Sequence, residues 1–487
     1  MFSRSFAIAA VLLTCATGGA PVIRASAAPQ PDDAEIAHVL NRLSYGPRPG
    51  DVARVRTIGI QKWIEIQLSP SRIDNAAVDE RLLRLLTLPL DSQTIQREYS
   101  GPAMVERRQS KATESTERST SATEGTDPSM RGPMSEAQRK DRQVITDIAE
   151  AKLLRAVYSE RQLEEVLVDF WFNHFNVFAG KGATRNYVGE YEREAIRPFV
   201  LGSFRGMLGA TAKSPAMLFY LDNWLSAVGA SLRPSAARPQ RVTGINENYA
   251  RELLELHTLG VDGGYTQQDI VNVARAFTGW TMQPRQGSGF MFVAARHDRS
   301  DKIVLGHRIQ AGGGVDDGEQ VLDLVAMHPS TARHIATKLA TKFVSDHPPA
   351  ALVDRAAARF TATKGDLREV LKVILSSPEF LSPDTYRAKV KTPLEFVASA
   401  LRATGADVRT ALPLARTLRD MGMPLYSCQP PTGYQETAST WVSAGALVSR
   451  MNFAVELSKN AIPGVRVPLS QEQTVALKIG APEFQRQ

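Results

Sequence analysis

Apolar residues recur at helical spacing along most of this chain. Ala34 to Leu43 and Asp51 to Gln67 carry them at i, i+3 and i+4 intervals, which predicts two amphipathic helices. Tyr45-Gly46-Pro47-Arg48-Pro49-Gly50 between them reads as a turn. The same period predicts helices over Leu82 to Leu90, Gln143 to Tyr158, Gln162 to Val177, Glu192 to Leu208, Glu247 to Leu259 and Gln267 to Phe277. It continues over Gly318 to Ala326, Ser330 to Val344, Leu352 to Ala362, Leu367 to Leu375 and Pro393 to Thr404. Asp366, Thr392 and Ser330 stand where N-caps belong, and Gly260 where a helix stops. Strand-like sequence is confined to Gly289 to Ala294 and Ile303 to Leu305, read as one small hairpin. The expectation is a mainly α fold: one large multi-helix body with a small β-hairpin element and a disordered insert.

That insert is Gly101 to Arg142, rich in Ser, Thr, Glu and Arg and nearly free of large apolar residues. Such a stretch buries too little surface to offset its ordering entropy. It separates an N-terminal helical part, residues 28–100, from the main helical domain, residues 143–463. Residues 464–487 read as a loose tail. The first 27 residues read as a signal peptide: Arg4, an apolar run from Ala7 to Ala20, then Ala25-Ser26-Ala27 ahead of Ala28. The expected address is therefore exported, periplasmic or extracellular.

Charge and cysteine content narrow the partners. The chain carries a formal net charge of +7, with no Lys/Arg block interleaved with aromatics, so nucleic acid is not an expected partner. No stretch of the mature chain is long and apolar enough to span a bilayer. With Cys15 in the leader, Cys428 stands alone, which excludes an intramolecular disulfide and a cysteine-rich zinc site in the mature chain. Cys428 itself reads as an inert thiol.

Several blocks carry a resemblance. They are His38-Val-Leu-Asn-Arg-Leu-Ser-Tyr-Gly-Pro, Phe170-Trp-Phe-Asn-His-Phe175, Ser214 to Asn223, the long Asn246 to Gly260 block, Tyr265-Thr266, Thr278-Gly-Trp-Thr281, His297-Asp298, His328 to Ala332 and Pro431-Thr-Gly-Tyr434. Together they resemble the bacterial exported family catalogued as domain of unknown function 1800, over roughly Glu35 to Leu457. The resemblance implies an exported, predominantly helical single body. It also implies a neighbouring exported protein of a second family, numbered 1501, as a partner. It brings no established catalytic residues.

The residues themselves offer candidates. His174 shares a helix stripe with Leu163, Leu167, Phe170 and Trp171, so it points inward, as a metal ligand, a general base or a hydrogen-bonded core histidine. Asn173 turns to another face, as a surface group or a pocket donor. In the long block, Glu247, Arg251 and Glu255 form an ion-pair stripe, with Glu252 on a neighbouring polar stripe and His257 on the buried side. At 3.6 residues per turn Glu255 and His257 stand about 160° apart and Glu252 and His257 about 140°, so neither pair alone holds one ion. The candidate catalytic residues are therefore His174, Glu247, Glu252 and His257. The candidate metal ligands, for a divalent cation, are His174, Glu252, His297 and Asp298, each against a purely structural alternative. Trp280, Tyr426, Tyr434 and Trp441 read as plugs of the helical body or as stacking platforms.

Two functions fit. One is a binding or assembly factor of the cell envelope, which predicts an apolar surface patch. The other is a metal-assisted or acid/base hydrolase of an envelope or extracellular polymer, which predicts that the candidate groups converge in a cleft. No recognised catalytic motif is present, so the first is preferred and catalysis is left open.

Overall fold

In a computed structural model, which describes residues 32–120, 133–228, 244–283, 287–468 and 472–487, the chain is predominantly helical. The predicted signal peptide lies outside these residues. Helix starts follow local chemistry. Asp366 accepts from the backbone of Arg368 and Glu369, and Thr392 forms a reciprocal capping box with Glu395, as their positions predict. Ser330 does not cap its helix. His328 does so through Nδ1, with Pro329 in the first helical position, and the Ser330 hydroxyl donates to the Gly263 carbonyl instead.

Helix Gln162–His174 runs through the core. Its predicted stripe is buried, and so are Val166, Val168 and Phe172 on its other sides. A helix apolar nearly all round belongs in the interior of a large body. Beside it pack Glu136–Tyr158 and the π-turn Tyr191–Ile196, and the interior holds charged residues in pairs. Lys152 meets Asp169 at 2.9 Å, Arg197 meets Glu165 at 2.8 Å, and Lys342 meets Glu395 at 2.8 Å. Pairing is what makes burial of such groups tolerable.

The β content differs from the predicted single hairpin. Trp280–Gln283 pairs antiparallel with Gly287–Phe292, Lys302–Val304 with His307–Ile309, and Asp407–Val408 with Val465–Arg466. The two predicted segments are thus strands, but each pairs with a near neighbour, because Gly306 at φ +79° closes a tight turn after Val304.

Two boundary expectations also change. The predicted insert is helical at both ends, Gly101–Thr120 and Glu136–Tyr158, and residues 121–132 lie outside the described ones. Charge substitutes there for apolar burial: Arg107 and Arg185 both bind the buried Asp141 carboxylate, at 2.8 and 3.0 Å. The expected loose tail is docked. Backbone hydrogen bonds join Lys389 to Gln487 in both directions, and helix Glu472–Gly480 packs on helix Ala444–Ser458. Arg450 clamps it by donating to the Gln485 side chain and the Lys391 carbonyl. Among the described residues no helix is long and apolar enough to cross a membrane.

Candidate functional site

The long block opens as helix Glu247–Glu252, capped by Asn246, whose side chain accepts from Tyr249 and donates to the Leu221 carbonyl. It then widens into a π-helical turn, Leu253–Thr258, where the Leu259 amide bonds five residues back to Leu254 at 2.9 Å. Gly260, at φ +86°, ends it. The last carbonyls of a helix have no partner within it. Two imidazoles from other helices approach here. His174 Nε2 lies 3.1 Å from the His257 carbonyl, and His334, on helix Pro329–Phe343, faces the Leu256 carbonyl.

Those bonds fix the tautomers, because a ring nitrogen facing a carbonyl must carry the proton. His174 Nδ1 and His334 Nε2 are left as bare acceptors, buried and without a hydrogen-bond partner; His257 Nε2 is likewise unmatched. The His174 ring centroid lies 6.2 Å from those of both His257 and His334. All three imidazoles stay neutral. Burial, then the nearby Lys338 charge, pushes His257 down to about 3, His334 to about 4 and His174 well below the usual histidine range.

His174 and His334 line a cavity of about 260 Å³, together with Lys338, Glu255, Tyr434 and Glu436. Lys338 is largely desolvated, which lowers its affinity for a proton, against the pull of Glu436. It makes no hydrogen bond or ion pair among the described residues. Glu436 is engaged elsewhere, 3.1 Å from Lys342. Glu255 accepts from the Tyr265 hydroxyl at 3.4 Å.

Asn173 fixes the cavity's far wall. Its amide donates to the Tyr434 carbonyl at 2.6 Å and accepts from the Tyr434 amide at 2.7 Å. Between them Gly433 sits at φ +70°, where an added Cβ would lie 2.3 Å from the Asn173 carbonyl oxygen. Gly433→Ala is therefore expected to push this loop off its helix and to destabilise the fold by about 1–3 kcal/mol. Urea denaturation checks this, and an unchanged midpoint would refute the contact.

The sequence candidates do not converge. Glu247 is exposed and binds Gln267 at 2.9 Å, with Arg251 at 3.9 Å. Glu252 is half-buried, its carboxyl raised by burial and by Glu255, and it makes no hydrogen bond among the described residues. His297 and Asp298 belong to another network. His297 meets Asp317 at 3.1 Å, Lys302 meets Asp317 at 2.7 Å, and Asp298 meets Arg275 at 2.8 Å. The structure therefore does not bring His174, Glu252, His297 and Asp298 together: His297 is bonded to the Asp317 carboxylate and Asp298 to the Arg275 guanidinium. Among the described residues no three His, Cys, Asp or Glu side chains are placed to hold a metal ion.

Sequence reasoning missed His334, Lys338 and Glu436. His334 and Lys338 stand at i and i+4 amid apolar neighbours on one helix, and that spacing was the available signal. Trp280, Tyr426 and Trp441 are buried plugs. Cys428 is buried too, its thiol pushed up to about 11.

The surface carries a second feature. On helix Ala444–Ser458, Leu447, Val448, Met451 and Val455 are exposed along one side, flanked by Val442 and by Leu477, which is 77% exposed. Of these, Leu447 and Val442 also line a groove of about 300 Å³ together with Trp441, Pro482 and Arg486.

No curated protein and no solved structure matches the chain. The family described as protein of unknown function DUF1800 matches residues 38–485, nearly its whole length. The chain, with its mainly helical body and its π-turn cavity, belongs to that family.

Proposed function

We propose that this protein is an exported binding or assembly factor of the cell envelope, docking a neighbouring exported protein of the family numbered 1501. The exposed apolar stripe on helix Ala444–Ser458 supports this reading. Monomeric surfaces rarely leave a contiguous apolar row uncovered, and such rows mark protein contacts. The stripe runs from Leu447 to Val455, about two helical turns, which suits one amphipathic helix of a partner laid along it. It is small beside the roughly 800 Å² per partner of a stable symmetric dimer. That favours a separate partner over a second copy.

The test uses a purified exported protein of the family numbered 1501, titrated by calorimetry against wild type and Leu447→Asp/Met451→Asp. Both positions are solvent-facing, so the double variant keeps its fold. Binding weakened at least about tenfold in the variant is expected, a loss of about 1.4 kcal/mol or more. Equal binding by both proteins, or none, defeats the reading, as does a wild-type dimer that the substitutions dissociate.

A further inference from the structure

The cavity at the π-turn is separate from the docking stripe and has its own chemistry. It presents three kinds of group. Lys338 brings a cation that no hydrogen bond or ion pair satisfies among the described residues. His174 and His334 bring ring nitrogens that can only accept, because their other nitrogens are committed to the carbonyls of His257 and Leu256. Glu255 brings a carboxylate whose only hydrogen bond among the described residues is a long one from Tyr265. A buried acceptor without a donor is costly, about 1–3 kcal/mol each, and a ligand that supplies the donor recovers that free energy. His174 is 2% exposed, so bulk water does not supply it.

We propose that this cavity binds a small zwitterion, an α-amino acid, with its carboxylate on Lys338 and its ammonium among Glu255 and the bare imidazole nitrogens. Lys338 and Glu255 match the zwitterion's two charges, since Glu436 is already paired with Lys342. An ammonium carries three donors, enough for two imidazoles and a carboxylate. A phosphate dianion would meet the Glu255 carboxylate with only Lys338 in compensation, and a plain carboxylate would leave the imidazoles unmatched. Size agrees: about 260 Å³ falls below the roughly 300–1,000 Å³ of pockets for drug-sized ligands. Tyr434 and Thr432 form part of the wall that Asn173 pins.

Calorimetric titration of the full chain with alanine, serine and glycine, in both enantiomers where they exist, tests this against lactate, propionate and inorganic phosphate. At least one amino acid is expected to bind at least about tenfold more tightly than propionate or phosphate. Lys338→Met and Glu255→Gln are each expected to weaken it at least about tenfold, with unchanged circular dichroism. His334→Leu removes one acceptor from a half-buried position and is expected to weaken binding independently. Preference for phosphate or propionate overturns the proposal. So does lactate equal to the amino acids, because the ammonium then plays no part. Absence of heat from every amino acid at about 10 mM also overturns it, as does wild-type affinity in folded Lys338→Met. Should one variant misfold, the other two still decide. Binding of the 1501-family protein is read in a different titration, so failure here leaves the docking reading standing.

Discussion

Lys342→Met is expected to destabilise the protein by about 3–5 kcal/mol, the usual cost of stranding one partner of a buried ion pair. Lys342 lies in the core, 2.8 Å from Glu395 and 3.1 Å from Glu436. Its charge holds the Glu395 carboxyl down at about 2 despite complete burial. Glu395 cannot simply be released, because its other oxygen accepts from the Thr392 amide and closes the capping box of helix Pro393–Ala403. Without Lys342 that carboxylate either stays charged in an apolar setting or takes up a proton, and both weaken the fold. The double variant Lys342→Met/Glu395→Gln removes the stranded charge and is expected to recover part of the loss. Urea denaturation at pH 7 measures both. If the single variant loses less than about 1 kcal/mol, the pair is not a buried support.

The same helix shows why some of this fold was legible in the sequence. Thr392 three residues before Glu395, and Asp366 just ahead of an apolar run, are local signals acting on adjacent backbone amides, and the structure uses both. The inward direction of His174 was legible for the same reason, since the period of helix Gln162–His174 alone decides which way a side chain points.

What failed needed either broken periodicity or distant partners. The phases of Glu252, Glu255 and His257 were counted at 3.6 residues per turn, but Leu253–Thr258 is a π-turn, which shifts every later side chain. The count misplaced Glu255, which in fact lines the cavity with His174. Asp317, which bonds the His297 ring and pairs with Lys302, lies on a separate helix, and no spacing rule links it to His297. The docking of residues 485–487 onto Lys389 and Lys391 depends on a strand-like bridge to a segment nearly a hundred residues earlier, invisible to any local window.

Those buried imidazoles also set how the protein responds to acid. His38, His174, His257 and His334 all have pKa values depressed in the folded state: His38 and His334 to about 4, His257 to about 3, and His174 well below the usual histidine range, with burial the first cause in each. In the unfolded chain each titrates near its ordinary value of about 6.5. Above that pH both states are neutral and the histidines do not bias folding. As pH falls below it, the unfolded chain gains protons that the folded one refuses, so stability drops toward the folded pKa values. The slope is up to about 1.4 kcal/mol per pH unit for each histidine. Glu192 and Glu395, both held near 2 by buried cations, extend the loss from about 4.5 downward. The raised carboxyls of Glu164 and Glu252 act in the opposite sense, but both are partly exposed. Between pH 7 and 5 the four histidines together are expected to remove several kcal/mol, a large share of the ~5–15 kcal/mol typical of a native protein. Urea unfolding at pH 7, 6 and 5 measures this, with His334→Gln as the control that makes the slope shallower by up to about one proton. A stability that stays level from pH 7 to 5 would mean that these rings reach water, and the neutral acceptors lining the cavity would be lost with it.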